Sequence, residues 1–457
     1  MMRTTYRNLL AVAAMTLGGS MVVGADAPAA DAPETLAEHL AVMNALTVKG
    51  RTMRDSEMGH TAYDETLSGE PMGAVGNRWL ALLEELEGYR EEGEGLRGAE
   101  PRHYADATYL YHMHHSAGRF EDHGLFDPMT HAPSALLVGN GRFVMESLQE
   151  GGRFHTDADR ESWTPQSMAY GLDAFHGVAY AWVRWDKPGG AEDMGLLSAE
   201  QMREWFGHEP EDAVAVARDA AEVLDDAWDT ESGTYDLGEG PVWELDALAS
   251  LIRGHKGLYE LLYVFGDGEE DERQAERLFE RAARLVEAVL GEDGVVESWG
   301  LPARVRFEDG YAVADSEDVD VEAQWRWVHH LTGGFALLRE NEGTSRFLER
   351  RRPGLSEEIG GAIDRLIEGA LAHQLSEGEV VASLDYDSGE VRDPDASLTT
   401  QAALVMGLGN GYSAGESFLR PGDWEGADAE AEDRTRAVYD AILGHGRGVS
   451  GSMTETR

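Results

Sequence analysis

The sequence predicts an all-α chain whose helices pair into hairpins around a polar interior. Three observations predict it. Apolar residues recur at helical spacing in twelve windows, and short Gly/Asp turns separate them. Every second window also replaces the usual Glu/Arg face with a stripe of His, Tyr, Trp, Ser, Thr and Gln. Such alternation suits a helical barrel with charged helices outside and the polar stripes turned inward.

The windows are 33–47, 77–92, 103–118, 133–149, 165–186, 211–228, 243–265, 270–290, 318–342, 355–376, 395–411 and 430–444. Turn-rich stretches at 227–235, 291–296 and 386–391 each follow one amphipathic helix and precede another, so the repeating unit is helix, small turn or β-hairpin, helix. Pairing gives 77–92 with 103–118, 133–149 with 165–186, 211–228 with 243–265, 270–290 with 318–342, and 355–376 with 395–411. The first and last helices supply a sixth pair by closing a ring.

In this pattern the chain resembles the six-hairpin (α/α)6 toroid superfamily, in which outer and inner helices alternate around a central cavity. The resemblance covers 33–444 and rests on architecture, without a sequence motif. A plain α-solenoid or an irregular bundle would also give paired helices. Members of the superfamily include glycoside hydrolases, polysaccharide lyases and sugar epimerases, so the resemblance implies carbohydrate chemistry at the mouth of the ring. It transfers no catalytic residue.

Residues 1–25 have the form of a secretory signal: Arg3 and Arg7, an apolar run from Leu9 to Val23, and small residues before Asp26. The expected product is an exported single domain, 26–444, with a flexible tail at 445–457, located outside the cell or at its surface. The arginines are not adjacent, so the twin-arginine route is not indicated. No cysteine is present, which excludes disulfides, thiolate metal sites and a cysteine nucleophile.

The formal charge is −48, from 86 acidic and 38 basic residues. Only Lys49, Lys187 and Lys256 are lysines; the other basic residues are arginines. A field this negative repels nucleic acid and anionic membrane surfaces, and the composition resembles that of halophilic proteins. The charge therefore reports habitat more than partner.

At 100° per residue, Tyr104, Thr108, His112, His115 and Arg119 form one inward stripe, and Asp173, His176, Tyr180 and Arg184 another. Further stripes are Asp246, Ser250, Arg253 and Glu260; Asp318, Glu322, Trp325, Arg326, His329 and Gly333; and Ser397, Thr400 and Gln401. His114, His255 and His330 fall off these stripes and read as core histidines. The loops entering the inner helices carry Trp163, Tyr235, Trp243, Trp299 and Tyr311, aromatic surfaces on which sugar rings stack; the same tryptophans would also serve as core plugs.

Glycoside hydrolysis needs two carboxyl groups flanking the bond. The expected pairs are Glu244 or Asp246 against Asp318 or Glu322, each beginning an inner helix, where the helix dipole favours a charged base. A lyase or epimerase would instead use His115, His176, His329 or Tyr180 as base, with Arg184, Arg253 and Arg326 holding an anionic group. Those arginines could equally form buried pairs with Asp173, Asp246, Asp318 and Glu322. Tyr104, Trp163, Tyr180, Trp243, Trp299 and Trp325 complete the expected binding set. A non-catalytic toroid binding a saccharide or protein is the rival reading.

No cofactor is expected. His112 and His115 could face one ion, but HExxH spacing is absent, which disfavours zinc. Asp315, Glu317, Asp318 and Asp320, or Asp385, Asp387, Asp393 and Asp395, offer oxygen ligands for calcium. Gly411-Tyr412-Ser413-Ala414-Gly415 fits G-x-S-x-G but follows a helix where a nucleophile elbow needs a strand. The G-x-G-x-x-G matches at 93–98 and 446–451 follow no strand.

Overall fold

The computed structural model describes Glu38 and residues 101–106, 141–185, 207–238, 240–331, 352, 354–376 and 379–415. The expected signal segment, the helices at 77–92 and 430–444, most of the helices at 33–47 and 103–118 and the tail lie outside the described residues. What is described is mostly helical, with short antiparallel strand pairs between helices.

The helices are α1 (Pro165–Trp185), α2 (Pro210–Ala227), α3 (Leu245–Phe265), α4 (Glu269–Leu290), α5 (Val321–His329), α6 (Leu355–His373) and α7 (Leu398–Gly415). Their starts follow local chemistry. Before α1, Thr164 and Ser167 cap each other: the Ser167 amide donates to Thr164 Oγ1 at 3.1 Å and the Thr164 amide to Ser167 Oγ at 2.8 Å. Pro165 and Pro210 take first-turn positions, where the missing N–H costs nothing. Four acids, Glu269 to Glu272, open α4 at the positive end of its dipole.

Strand pairs fill the loops: β1 (Gln149–Glu150) with β2 (Arg153–Phe154), and β3 (Trp228–Asp229) with β4 (Thr234–Tyr235). A three-stranded sheet joins β5 (Val242–Glu244), β6 (Arg304–Glu308) and β7 (Tyr311–Ala314). A second joins β8 (Asp318–Asp320), β11 (Ser383–Asp385) and β12 (Val391–Asp393), and β9 (Leu375–Ser376) pairs β10 (Glu379–Val380). The β6–β7 turn is Asp309-Gly310, both at positive φ (52° and 84°), which matches the twist of a two-residue hairpin.

α3 lies between α1 and α5, and α5 packs on α7; α4 packs on α3, α2 and α6. These contacts place α1, α3, α5 and α7 in an inner layer and α2, α4 and α6 in an outer one. Inner neighbours run the same way. Tyr170 meets Asp246 near their helix starts, and further along Leu172 meets Gly254 and His176 meets Gly257. Likewise Glu322 meets Thr399, and Trp325 meets Gly407. Close approach of α1 and α3 requires the glycines: a Cβ on Gly254 would stand 2.5 Å from Leu172 Cβ.

The outer layer is tied by arginines on α4. Arg277 and Arg281 both reach Asp225 of α2, at 3.0 and 2.5 Å, while Leu278, Ala282, Leu285 and Val289 turn to the core. The alternation of charged outer and polar inner helices thus has a packing reason: each outer helix faces solvent on one side, whereas α3 is buried on nearly all sides.

Candidate functional site

Because the inner helices are parallel, their N-terminal turns meet, and polar side chains from five segments converge there. Arg102, from the segment 101–106, places Nη2 2.6 Å from Glu322 Oε1 and Nη1 3.5 Å from Asp246 Oδ2. Tyr170 of α1 donates to Asp246 Oδ2 at 2.7 Å, and the Ala247 amide donates to Asp246 Oδ1 at 2.8 Å. Glu322 Oε2 accepts from Thr399 Oγ1 at 2.7 Å and from Thr400 Oγ1 at 3.4 Å. Arg326, one turn beyond Glu322, grips Asp106 with two parallel hydrogen bonds of 2.9 and 2.8 Å. Asp246 and Glu322 remain 15% and 18% exposed, so solvent reaches the cluster.

Charge state follows from these neighbours. Burial opposes the charge on Asp106, but Arg326 and then Arg102 outweigh it and lower its pKa. Burial raises Tyr170 well above its ordinary value, and the adjacent Asp246 carboxylate raises it further, so the phenol stays protonated. Asp320, the N-cap of α5, accepts from the Ala323 amide at 3.1 Å. Desolvation raises its pKa despite that bond, with the charges of Glu322 and Asp246 adding to the rise, while the residue itself stays exposed at the end of β8. Glu244 is likewise raised by partial burial, against the pull of Arg304.

A second polar layer lies deeper between α1, α3 and α5. Arg253 Nε sits 2.6 Å from Asp173 Oδ1, and His330 Nε2 sits 3.6 Å from Asp173 Oδ2. Burial pushes Asp173 up to about 7, with Arg253 and Ser250 pulling the other way. His176, 3.6 Å from Glu260, is held neutral by burial and by the charges of Lys256 and Arg253. Burial also lowers His330.

Of the expected catalytic residues, Asp246 and Glu322 meet in one cluster, and Glu244 stands at its edge, 4.0 Å from Arg304. Asp318 does not join them. It lies in β8, where alternation turns Val319 inward, and it pairs with Arg392, which also holds Asp385 and lies 3.5 Å from Glu317. Arg392 thus supplies the positive charge at three of the carboxylates considered for calcium. Among the described residues no group of three or more His, Asp or Glu side chains is disposed to hold a metal ion. His176 and His329 are buried beneath the cluster, with His329 against the His330 ring at 5.8 Å. His112 and His115, and the side chains of Tyr180 and Arg184, lie outside the described residues.

Most of the described aromatic residues named above serve as core or as loop braces, one of the two roles the sequence left open for the tryptophans. Tyr104 is core, stacked on Phe143 at 5.3 Å, because Arg102 and Asp106 take the inward face and Tyr104 lies some 200° around the helix from Arg102. Trp243 and Trp325 are fully packed; Trp325 donates to Gln374 Oε1 at 2.8 Å. Trp299 donates to the Tyr386 carbonyl at 2.7 Å and lies against Gly389, bracing two loops. Trp163 is half-buried beneath the Arg153 guanidinium, 5.3 Å from its ring centre. It lines an open pocket of about 550 Å³ with Asp219, Glu222, Asp226 and Leu237, which shares no residue with the carboxylate cluster.

Arg253 and Arg326 are engaged in buried ion pairs. His255 is a core histidine, its Nδ1 2.6 Å from the Leu251 carbonyl and its Nε2 2.6 Å from Tyr235 Oη. His330, grouped with it by sequence phase, instead faces Asp173 and Arg253. Sequence reasoning passed over Arg102, Asp106 and Tyr170, and read Asp320 only as a possible calcium ligand and His330 as a core histidine. Spacing held a signal for the first three: Arg102 and Asp106 are four apart, and Tyr170 precedes Asp173 by three.

No family model, curated protein or solved structure matches the chain. Among the described residues no helix is long and apolar enough to cross a membrane.

Proposed function

We propose that this chain is an exported carbohydrate-active enzyme, a glycoside hydrolase acting through carboxylates at the mouth of a six-hairpin toroid. The observation that carries the reading is the solvent-reached cluster in which Asp246 and Glu322 share Arg102 while Asp320 stands beside them. Glycoside hydrolysis asks for a carboxylate held charged and a second carboxyl group that retains its proton. Asp246 and Glu322, each facing a cation, suit base or nucleophile. Asp320, its pKa raised by desolvation and by two carboxylate neighbours, suits the acid. The parallel inner helices and the outer layer packed against them support the toroid.

Lyase or epimerase chemistry has less support. His176 and His329 are buried, and the Tyr170 hydroxyl, already donating to Asp246, resists ionisation.

The test is incubation of the chain from Asp26, in high salt, with neutral and uronate-containing polysaccharides, and mass spectrometry of the products. Fragments that have gained water are expected, and D246N or E322Q should lower kcat by about 100-fold or more. Unsaturated fragments would establish a lyase. Absence of any fragment, with saccharide binding retained, would establish the binding toroid.

A further inference from the structure

We infer that Arg102 acts on this site through Asp246 and Glu322, one guanidinium sharing its positive charge between both carboxylates. The inference rests on reading those two carboxylates as catalytic. A guanidinium suits the task because its terminal nitrogens point in different directions in one rigid plane, so it can face two acids at once, whereas an ammonium is a single point charge. Arg102 Nη2 takes Glu322 and Nη1 takes Asp246.

The surroundings separate this electrostatic role from a merely structural one. Each carboxylate is oriented by other bonds: Asp246 by Tyr170 and the Ala247 amide, Glu322 by Thr399 and Thr400. The segment bearing Arg102 is anchored separately, through the bidentate Asp106–Arg326 pair. Loss of the Arg102 charge should therefore leave the carboxylates in place and change their ionisation. Arg326 Nε, 3.6 Å from Glu322 Oε1, compensates partly on that side, whereas among the described residues Arg102 is the cation within 4 Å of Asp246. Asp246 should respond more strongly than Glu322.

The experiment titrates the full protein with carboxyl-13C-labelled Asp and Glu, the resonances assigned through D246N and E322Q, alongside the pH profile of kcat/KM on whichever polysaccharide is cut. In R102Q the Asp246 midpoint should rise by a unit or more, a tenfold change in protonation, with a smaller rise for Glu322. The acidic limb of the profile should follow. R102K, reaching one carboxylate at a time, should restore one midpoint and leave the other raised. Unchanged midpoints in R102Q, or full restoration of both in R102K, would overturn the inference. So would shifted midpoints with an unmoved acidic limb. If the wild type cuts no polysaccharide, the hydrolase reading fails, and the titration alone decides whether Arg102 sets the two charges.

Discussion

Replacing Arg253 with methionine removes the counter-charge of Asp173 while keeping most of the side-chain volume. The two groups lie 2.6 Å apart, and neither is more than 1% exposed, so water cannot take over the role of the guanidinium. Breaking such a pair from one side typically costs about 3–5 kcal/mol, because the remaining charge must stay desolvated or take up a proton. Removing both charges, as in D173L/R253M, should recover most of that loss, since an apolar pair carries no desolvation penalty. The sign of the pH dependence follows from Asp173. Its folded pKa is raised from 3.8 to about 7, so the folded state holds a proton that the unfolded chain releases, and this contribution to stability falls as pH rises through that interval. In R253M the pKa of Asp173 should rise further. The R253M deficit relative to wild type should therefore be largest at about pH 8, where wild-type Asp173 is ionised beside Arg253, and shrink towards about pH 5, where Asp173 is neutral in both folded proteins. Denaturant unfolding in high salt at both pH values reads the effect. A loss below about 1 kcal/mol at the higher pH, or a deficit that grows on acidification, would refute the buried-pair account.

Two further substitutions probe the packing that brings the site together. Gly254→Ala would place a Cβ 2.5 Å from Leu172 Cβ and should destabilise by about 1–3 kcal/mol, whereas Gly360→Ala on α6, with open space at the same position, should stabilise by up to about 1 kcal/mol; thermal unfolding of the pair distinguishes crowding from helix propensity. Tyr235→Phe should cost about 1–3 kcal/mol by leaving the buried His255 Nε2 without its donor, a loss measurable by denaturant unfolding at neutral pH, where burial has already lowered that imidazole to about 4.

The long elements were legible because their signal is periodic. α4, with acids in its first turn and an apolar stripe behind them, lies within a residue of its expected start. The helix at 318–342 was harder: its first three residues form β8, since Asp318-Val319-Asp320 alternates as a strand before Asp320 caps α5. The loop 291–318 hid a hairpin whose Asp309-Gly310 turn was a local signal in plain sight. At the site, phase decided the outcome. Stripes on α1, α3 and α5 identified Asp173, Asp246, Arg253, Glu322 and Arg326, whereas the stripe drawn through Tyr104 started two residues from the inward face. An aromatic residue fits a core face or a cavity wall equally well. The tryptophans were illegible for the same reason: whether an indole stacks on a ligand or on Gly389 depends on tertiary contacts that no spacing encodes.

The shortage of lysine also acquires a structural reason at this site. In a chain with 86 acids and 38 basic residues, a buried cation must often serve more than one carboxylate. Arg102 serves Asp246 and Glu322, and Arg326 serves Asp106 and Glu322; at the surface Arg392 likewise serves Asp318, Asp385 and Glu317. A planar fork with several donors can meet such demands in a fixed geometry, whereas an ammonium meets them only as a point charge with a heavier desolvation cost. An acidic exterior needs only negative charge, but an interior built from the same acid-rich sequence needs cations that branch. The arginine bias is therefore a requirement of the polar layers between the inner helices as well as a mark of the surface.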